Sequence, residues 1–286
     1  MAFGQCSEAI QILSREAERS RRSRVDFFLK RGCPEKRLRG TLRFEKENRF
    51  VLILARFVLR ASHVSFCGLY INAVKESANR ICYILYPVSS LNEWIQSAAQ
   101  KFGISLVMIT GMDWDDDLTP WPARGVPSGS PDLKGNAPRF LSTLTKEVIP
   151  EIEQRMGIAS SVERTLLGVS LSGLFTLWEW MIDNTFHNII SLSGSFWYDG
   201  FVKWLKSQPI PKKTGKAYFL LGNQEAKTKI KAFQPVQVNT EEIVGYLHDN
   251  GINDYFELVP GNHYQYAEQR LIRALTWMFN TSILSD

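Results

Sequence analysis

The sequence predicts an α/β chain whose mostly parallel sheet is covered by helices on both faces, and three observations carry that reading. From about residue 43 onward, short apolar runs rich in β-branched residues alternate with helix-like runs of 10 to 15 residues, which is the signature of strands joined by right-handed crossovers. Around residue 170 a strand-like run passes into a helix-like run through "GVSLSG", with no polar linker between them. The chain has 286 residues, 44% apolar and 22% charged, enough to bury a sizeable core.

Taken in order, "RFVLILARFVL" and "VSFCGLYINA" have the β-branched and aromatic content of an early strand pair. "RICYILYPV" is a short apolar run that stops at Pro87, and "SSLNEWIQSAAQKFG" follows it with serines to cap a helix, apolar positions at helical spacing and a closing glycine. "ISLVMITG" reads as a strand and "NAPRFLSTLTKEVIPEIEQRMG" as one helix. The alternation then repeats: "VERTLLGV" strand, "GLFTLWEWMIDN" helix, "HNIISLSGS" and "AYFLLGN" strands, "QPVQVNTEEIVGYLHDNG" helix, "DYFELVPG" strand and "EQRLIRALTWMF" helix. No repeat of fixed period interrupts this order.

Charge and composition exclude several function classes. The most apolar run, Phe50 to Ser62, is shorter than the roughly 20 residues of a membrane span and contains Arg56 and Arg60; it reads as a core strand. The first 24 residues have no apolar stretch of signal-peptide length, so the expected location is the cytoplasm. Cys6, Cys33, Cys67 and Cys82 are scattered and have no histidines at zinc spacing, which suits ordinary reduced thiols and no metal site. Net charge is +5, with 16 Lys/Arg against 7 Asp/Glu in residues 1–75. The basic run Arg15 to Gly40 is more simply a solvated helix broken at Gly32–Pro34 than a nucleic-acid surface.

In a parallel sheet ligands sit at the carboxyl ends of the strands, so candidate residues are sought just after each one. Ser170 occupies the centre of a sharp strand-to-helix turn, where small neighbours relieve crowding and the hydroxyl rises above the sheet. The backbone N–H of Leu171, at the start of the next helix, is placed to donate to an oxyanion. The pattern departs from G-x-S-x-G in having Ser172 at the fifth position and Gly173 beyond it. Ser172 and Ser195 are lesser nucleophile candidates, because neither stands at the centre of such a turn. A serine nucleophile needs a base, and the histidines are His63, His187, His248 and His263. In hydrolases of this architecture the chain order is serine, acid, histidine, with the histidine after the last strand, and His263 in "VPGNHYQY" lies there. His187 precedes a strand, and His248 belongs to a helix end. The acid should follow the intervening strand; Glu225 stands three residues past Gly222. Asp249, near a helix end, and Asp254, at the start of a strand, are its competitors.

At these residues the sequence resembles the "putative esterase" branch of the α/β hydrolases, which includes enterochelin (siderophore) esterases, esterase D and feruloyl esterases. The resemblance covers roughly residues 80–286. It rests on "GMDWDDDLTPWPA", similar to a D-x-T-P loop through Asp117, Thr119, Pro120 and Trp121; on "GVSLSGLFTLWEW"; on "SLSGSFWYDGF"; on "GNQEAKT"; and on "GNHYQY". It implies the α/β-hydrolase fold, with Ser170 as nucleophile, His263 as general base and Glu225 as orienting acid. It further implies a small-molecule ester as substrate and no cofactor. Trp114, Trp121, Trp197 and Tyr198 fall in loops that could line the pocket, with Trp114, Trp197 and Tyr198 taken as substrate-binding candidates. The family's Asp-Gly-x segment after an early strand is replaced by "YPVSSLNEW", so a second oxyanion donor is not identified. Residues 1–79 form a basic N-terminal region, either early strands or an extension. An acyltransferase on the same triad, or a hydrolase-fold binding protein, stays open beside the serine esterase.

Overall fold

The structure, a computed structural model, describes residues 62–88, 91–211 and 214–280. All of them belong to one of the two compact units into which the chain divides, residues 51–286. The basic run 15–40, most of the apolar run 50–62, Cys6, Cys33 and the capping serines 89 and 90 lie outside the described residues.

Eight strands form one sheet: β1 (Ser62–Phe66), β2 (Leu69–Val74), β3 (Arg80–Leu85), β4 (Ser105–Thr110), β5 (Glu163–Val169), β6 (Asn188–Leu192), β7 (Lys216–Gly222) and β8 (Asn253–Val259). Their spatial order is β1-β2-β4-β3-β5-β6-β7-β8. β1 and β2 pair antiparallel with each other, and β2 pairs antiparallel with β4; every later pairing is parallel. The stretch "VSFCGLYINA" is therefore not one strand of a pair but a hairpin in itself. Cys67 and Gly68 form its two-residue turn, both at positive φ (51° and 79°), the geometry that matches the twist of the flanking strands. β1 and β2 precede residue 80 and belong to the same sheet as the strands after it.

The helices are α1 (Asn92–Phe102), α2 (Ala137–Thr143), α3 (Ile149–Met156), α4 (Leu171–Ile182), α5 (Phe201–Ser207), α6 (Val236–Asp249) and α7 (Ala267–Phe279). The chain passes from β3 through α1 outward to β4, then back over β3 to β5, so right-handed crossovers place the two connections on opposite faces. Along β3, Cys82 and Ile84 pack with Ile95 and Ala99 of α1 and Leu271, Ala274 and Leu275 of α7. Ile81, Tyr83 and Leu85 point the other way, into the layer with Phe140, Ile152, Leu174, Leu205 and Ile243. This is the period-2 alternation of a sheet buried on both sides.

The helix expected over 136–157 is continuous in direction, but it widens into a π turn at Leu144–Val148 between α2 and α3. Pro150 explains this, since it has no N–H to give the preceding turn and its ring crowds the carbonyl four residues back. α4 is buried along nearly its whole length, as the helix behind the central strand of such a sheet must be.

Candidate active site

β5 enters the turn at Gly168, and the backbone doubles back so tightly that a Cβ there would lie 2.0 Å from the carbonyl oxygen of Ser172. Gly173 is needed one turn later, where a Cβ would come within 2.9 Å of Ser191 Oγ. Between them Ser170 sits at φ 58° and ψ −121°, a conformation that costs a non-glycine residue about 1–3 kcal/mol. Neighbouring groups hold it there. Its N–H donates to Leu192 O (3.0 Å), and its carbonyl accepts the N–H of Ser195 (3.0 Å). Ser172 is fully buried; its hydroxyl accepts the Val169 N–H at 2.7 Å and lies 2.8 Å from the carbonyls of Leu85 and Val169. The serine at the fifth position thus ties the start of α4 to β3 and β5.

The structure brings together the three residues singled out from the sequence. His263 Nε2 lies 3.1 Å from Ser170 Oγ, and its Nδ1 lies 2.7 Å from Glu225 Oε2. The other carboxylate oxygen of Glu225 accepts three donors: the Gly222 N–H (2.7 Å), the Ser193 hydroxyl (2.7 Å) and Arg270 Nη1 (2.9 Å). Glu225 is only 8% exposed. Burial works against its charge, but the hydrogen bond and charge of His263, with the Ser193 hydroxyl and the Gly222 amide, outweigh it and hold the carboxyl below the ordinary glutamate range. A lowered folded-state pKa stabilises the fold above the unfolded value, near 4.3, and that stabilisation is lost as pH falls through the folded value. The expected result is a melting temperature that drops more steeply below about pH 4.3 for the intact protein than for Glu225→Gln, measured by calorimetry.

Leu171 opens α4, so its N–H belongs to the first helical amides that have no partner within the helix. In "YPV", the Tyr86 N–H is spent on Ile109 O (3.1 Å) and Pro87 has none, so neither serves as a second oxyanion donor. Ser195 Oγ lies 3.3 Å from Ser170 Oγ, and Ser195 is buried. The other candidates are elsewhere. The His187 Nδ1 accepts the Arg164 N–H (3.1 Å), His248 pairs with Asp254 on the surface (3.3 Å), and His63 lies in β1 at the far edge of the sheet. Asp249 ends α6.

Of the aromatic residues expected in the pocket, Tyr198 is corrected. It is 2% exposed and its hydroxyl donates to the Trp121 carbonyl. Its ring packs in the core, and burial pushes its phenol up to about 12. Trp121 Nε1 returns a bond to Asp199 O (3.1 Å), knitting the two loops together. Trp197 is half-buried with its ring 4.6 Å from that of Phe233, and Trp114 is half-buried against the core. In the D-x-T-P loop, Thr119 Oγ1 donates to Asp115 O (2.8 Å) and accepts the Gly135 N–H (3.1 Å), while Asp117 Oδ2 accepts the Asp113 N–H (2.9 Å). These residues close the loop on itself.

Sequence reasoning missed Ser193 and Arg270. The signal for Arg270 was present: it lies four and eight residues before Ala274 and Met278, on the buried stripe of α7, where an unpaired cation is not tolerated. Among the described residues no group of three His, Cys, Asp or Glu side chains could hold a metal ion, and no helix is long and apolar enough to cross a membrane.

The sheet order, the strained serine after β5 and the histidine loop after β8 define the α/β-hydrolase class. The chain belongs to the family described as "Putative esterase", whose pattern matches residues 85–278, and is thereby a carboxylic ester hydrolase acting on a small-molecule ester. A curated relative, "Uncharacterized protein YbbA" of Bacillus subtilis (strain 168), is 24% identical over 197 residues, which are 65% of this chain and 79% of that one. The siderophore hydrolase EstB of Aspergillus nidulans superposes with a TM-score of 0.61 at 17% identity, over 78% of this chain and 96% of its own. An IroE-like serine hydrolase of Shewanella oneidensis does so with a TM-score of 0.64 at 16% identity, over 77% and 79%.

Proposed function

We propose that the chain cleaves a carboxylic ester through an acyl-enzyme, with Ser170 as nucleophile, His263 as general base and Glu225 as orienting acid. The observation that carries this reading is the aligned pair of contacts on the imidazole, 3.1 Å to Ser170 Oγ and 2.7 Å to Glu225 Oε2. Ser170 Oγ attacks the carbonyl carbon while His263 Nε2 takes its proton. The tetrahedral oxyanion is held by the Leu171 N–H, a kind of donor worth about 3 kcal/mol in the transition state. The imidazolium returns the proton to the leaving alcohol as the C–O bond breaks, and a water then repeats the sequence to release the acid. Glu225 fixes Nδ1 as the protonated nitrogen, leaving Nε2 free to accept.

The substrate class proposed is an ester of siderophore type, supported by the resemblance of the five motifs and by the named activity of the Aspergillus neighbour. The test is a panel of p-nitrophenyl esters, an aryl cinnamate and a ferric catecholate trilactone, with fluorophosphonate labelling of the folded protein. Hydrolysis of the trilactone with stoichiometric labelling at Ser170 is the expected result. Short acyl esters alone would remove the siderophore substrate, transfer of the acyl group to an added alcohol in preference to water would favour the acyltransferase, and absence of labelling would remove the triad.

A further inference from the structure

Behind the Glu225–His263 pair stands a buried cation that the reaction above does not use. Arg270 is 4% exposed. Its Nη1 donates to Glu225 Oε1 (2.9 Å) and Ser193 Oγ (2.8 Å), and its Nη2 donates to the carbonyl of Asn262 (2.8 Å), the residue immediately before His263. One guanidinium therefore holds both the acid and the backbone that presents the base. The end of β7 makes room for it: a Cβ on Gly222 would lie 2.5 Å from Arg270 Nη2 and 2.9 Å from Glu225 Oε1, so no side chain larger than hydrogen fits beneath the pair.

We infer that Arg270 is a positioning residue for this reaction, tethering the His263 loop to the acid and setting the charge balance of the Glu225–His263 pair; the inference rests on the triad reading above. A planar fork holds a carboxylate, a hydroxyl and a carbonyl from two nitrogens in fixed geometry, where an ammonium on a flexible stem offers a single compact point charge. Its charge acts beyond geometry. With the imidazole neutral, Arg270 and Glu225 compensate each other; when His263 takes the serine proton, the cation of Arg270 opposes the new positive charge that Glu225 favours. Among the described residues Arg270 is the permanently charged cation paired with Glu225 and His263 its imidazole partner, while the neighbouring Arg273 is engaged with Glu257 at 2.7 Å and does not replace Arg270. Removing the cation lets the pair take up a proton more readily, so the acidic limb of kcat/KM moves to higher pH.

The experiment measures kcat/KM against pH on a p-nitrophenyl ester for the intact chain, Arg270→Gln and Arg270→Lys, with circular dichroism to establish folding. Arg270→Gln is expected to lose about ten- to a hundredfold in kcat at its pH optimum, to keep KM, and to show the acidic limb about one pH unit higher. Arg270→Lys keeps the charge and loses the fork, so its limb stays in place while kcat falls about tenfold. Equal losses at every pH in both variants, with no movement of the limb in Arg270→Gln, would assign Arg270 to packing alone and overturn the inference. If Arg270→Gln is too unstable to assay, Arg270→Lys decides: a kcat within about threefold of the intact chain overturns it. Ser170→Ala, labelled in parallel, separates the two levels. Labelling that persists in Ser170→Ala sinks the triad, whereas its loss alongside unaltered Arg270 variants sinks this inference only.

Discussion

Ser170→Ala is expected to lower kcat for an ester by about 10⁴- to 10⁶-fold and to leave a residual rate above that in water. On the proposed mechanism the residual would come from the Leu171 amide and from substrate binding, neither of which the substitution touches. The loss reflects chemistry and not collapse of the turn, because alanine keeps the Cβ and the backbone contacts to Leu192 and Ser195 use no side-chain atom. A comparison with Ser170→Gly makes this quantitative. Both variants lack the hydroxyl, but glycine adopts φ 58° without the strain that alanine bears. After its larger entropic loss on folding is counted, glycine is ahead by about 1 kcal/mol. Ser170→Gly should therefore melt about 2–4 °C above Ser170→Ala, with both reduced to the residual rate. Activity in Ser170→Ala within a hundredfold of the intact chain would reassign the nucleophile, with Ser195, 3.3 Å away, the next hydroxyl to examine.

Much of this arrangement was legible in the sequence because its causes are local. The alternation of apolar runs fixes strands and crossovers, and "GVSLSG" announces a turn whose close approaches, 2.0 Å at Gly168 and 2.9 Å at Gly173, leave room for nothing larger. Chain order together with position just after a strand singles out His263, and favours Glu225 over Asp249 and Asp254. What was illegible depends on partners distant in the chain. Tyr198 looked like a loop aromatic; only the fold shows the Trp121 carbonyl, 77 residues away, that takes its hydroxyl. Ser193 and Arg270 lie 77 residues apart and meet only over Glu225. The seven-residue α5 is too short to declare a period, and it begins at Gly200 with φ 74°, a cap whose sequence also suits a plain turn. The hairpin at Cys67 was hidden because cysteine seldom takes positive φ, so the apolar run read as uninterrupted.

Glu225→Gln is expected to lower kcat by about 10⁴-fold with little change in KM, and the reason is the asymmetry of the carboxylate's surroundings. Oε1 faces three donors, the Gly222 amide, the Ser193 hydroxyl and Arg270, and each requires an acceptor. In the glutamine variant the carbonyl oxygen must remain there, since an amide NH₂ would face the guanidinium and the backbone N–H. The NH₂ is thereby forced into the place of Oε2, against His263 Nδ1. A donor at that position makes Nδ1 the acceptor and moves the ring proton to Nε2, where it points at Ser170 Oγ and cannot receive the serine proton. Glu225→Ala leaves the tautomer unforced, and so should lose no more than Glu225→Gln although it removes more atoms. Measuring both by steady-state hydrolysis and by the rate of fluorophosphonate labelling checks the argument. A Glu225→Gln rate within tenfold of the intact chain would mean that the imidazole is oriented by something other than this carboxylate. A glutamine variant clearly faster than the alanine variant would show that the amide is not held in the orientation the three donors impose.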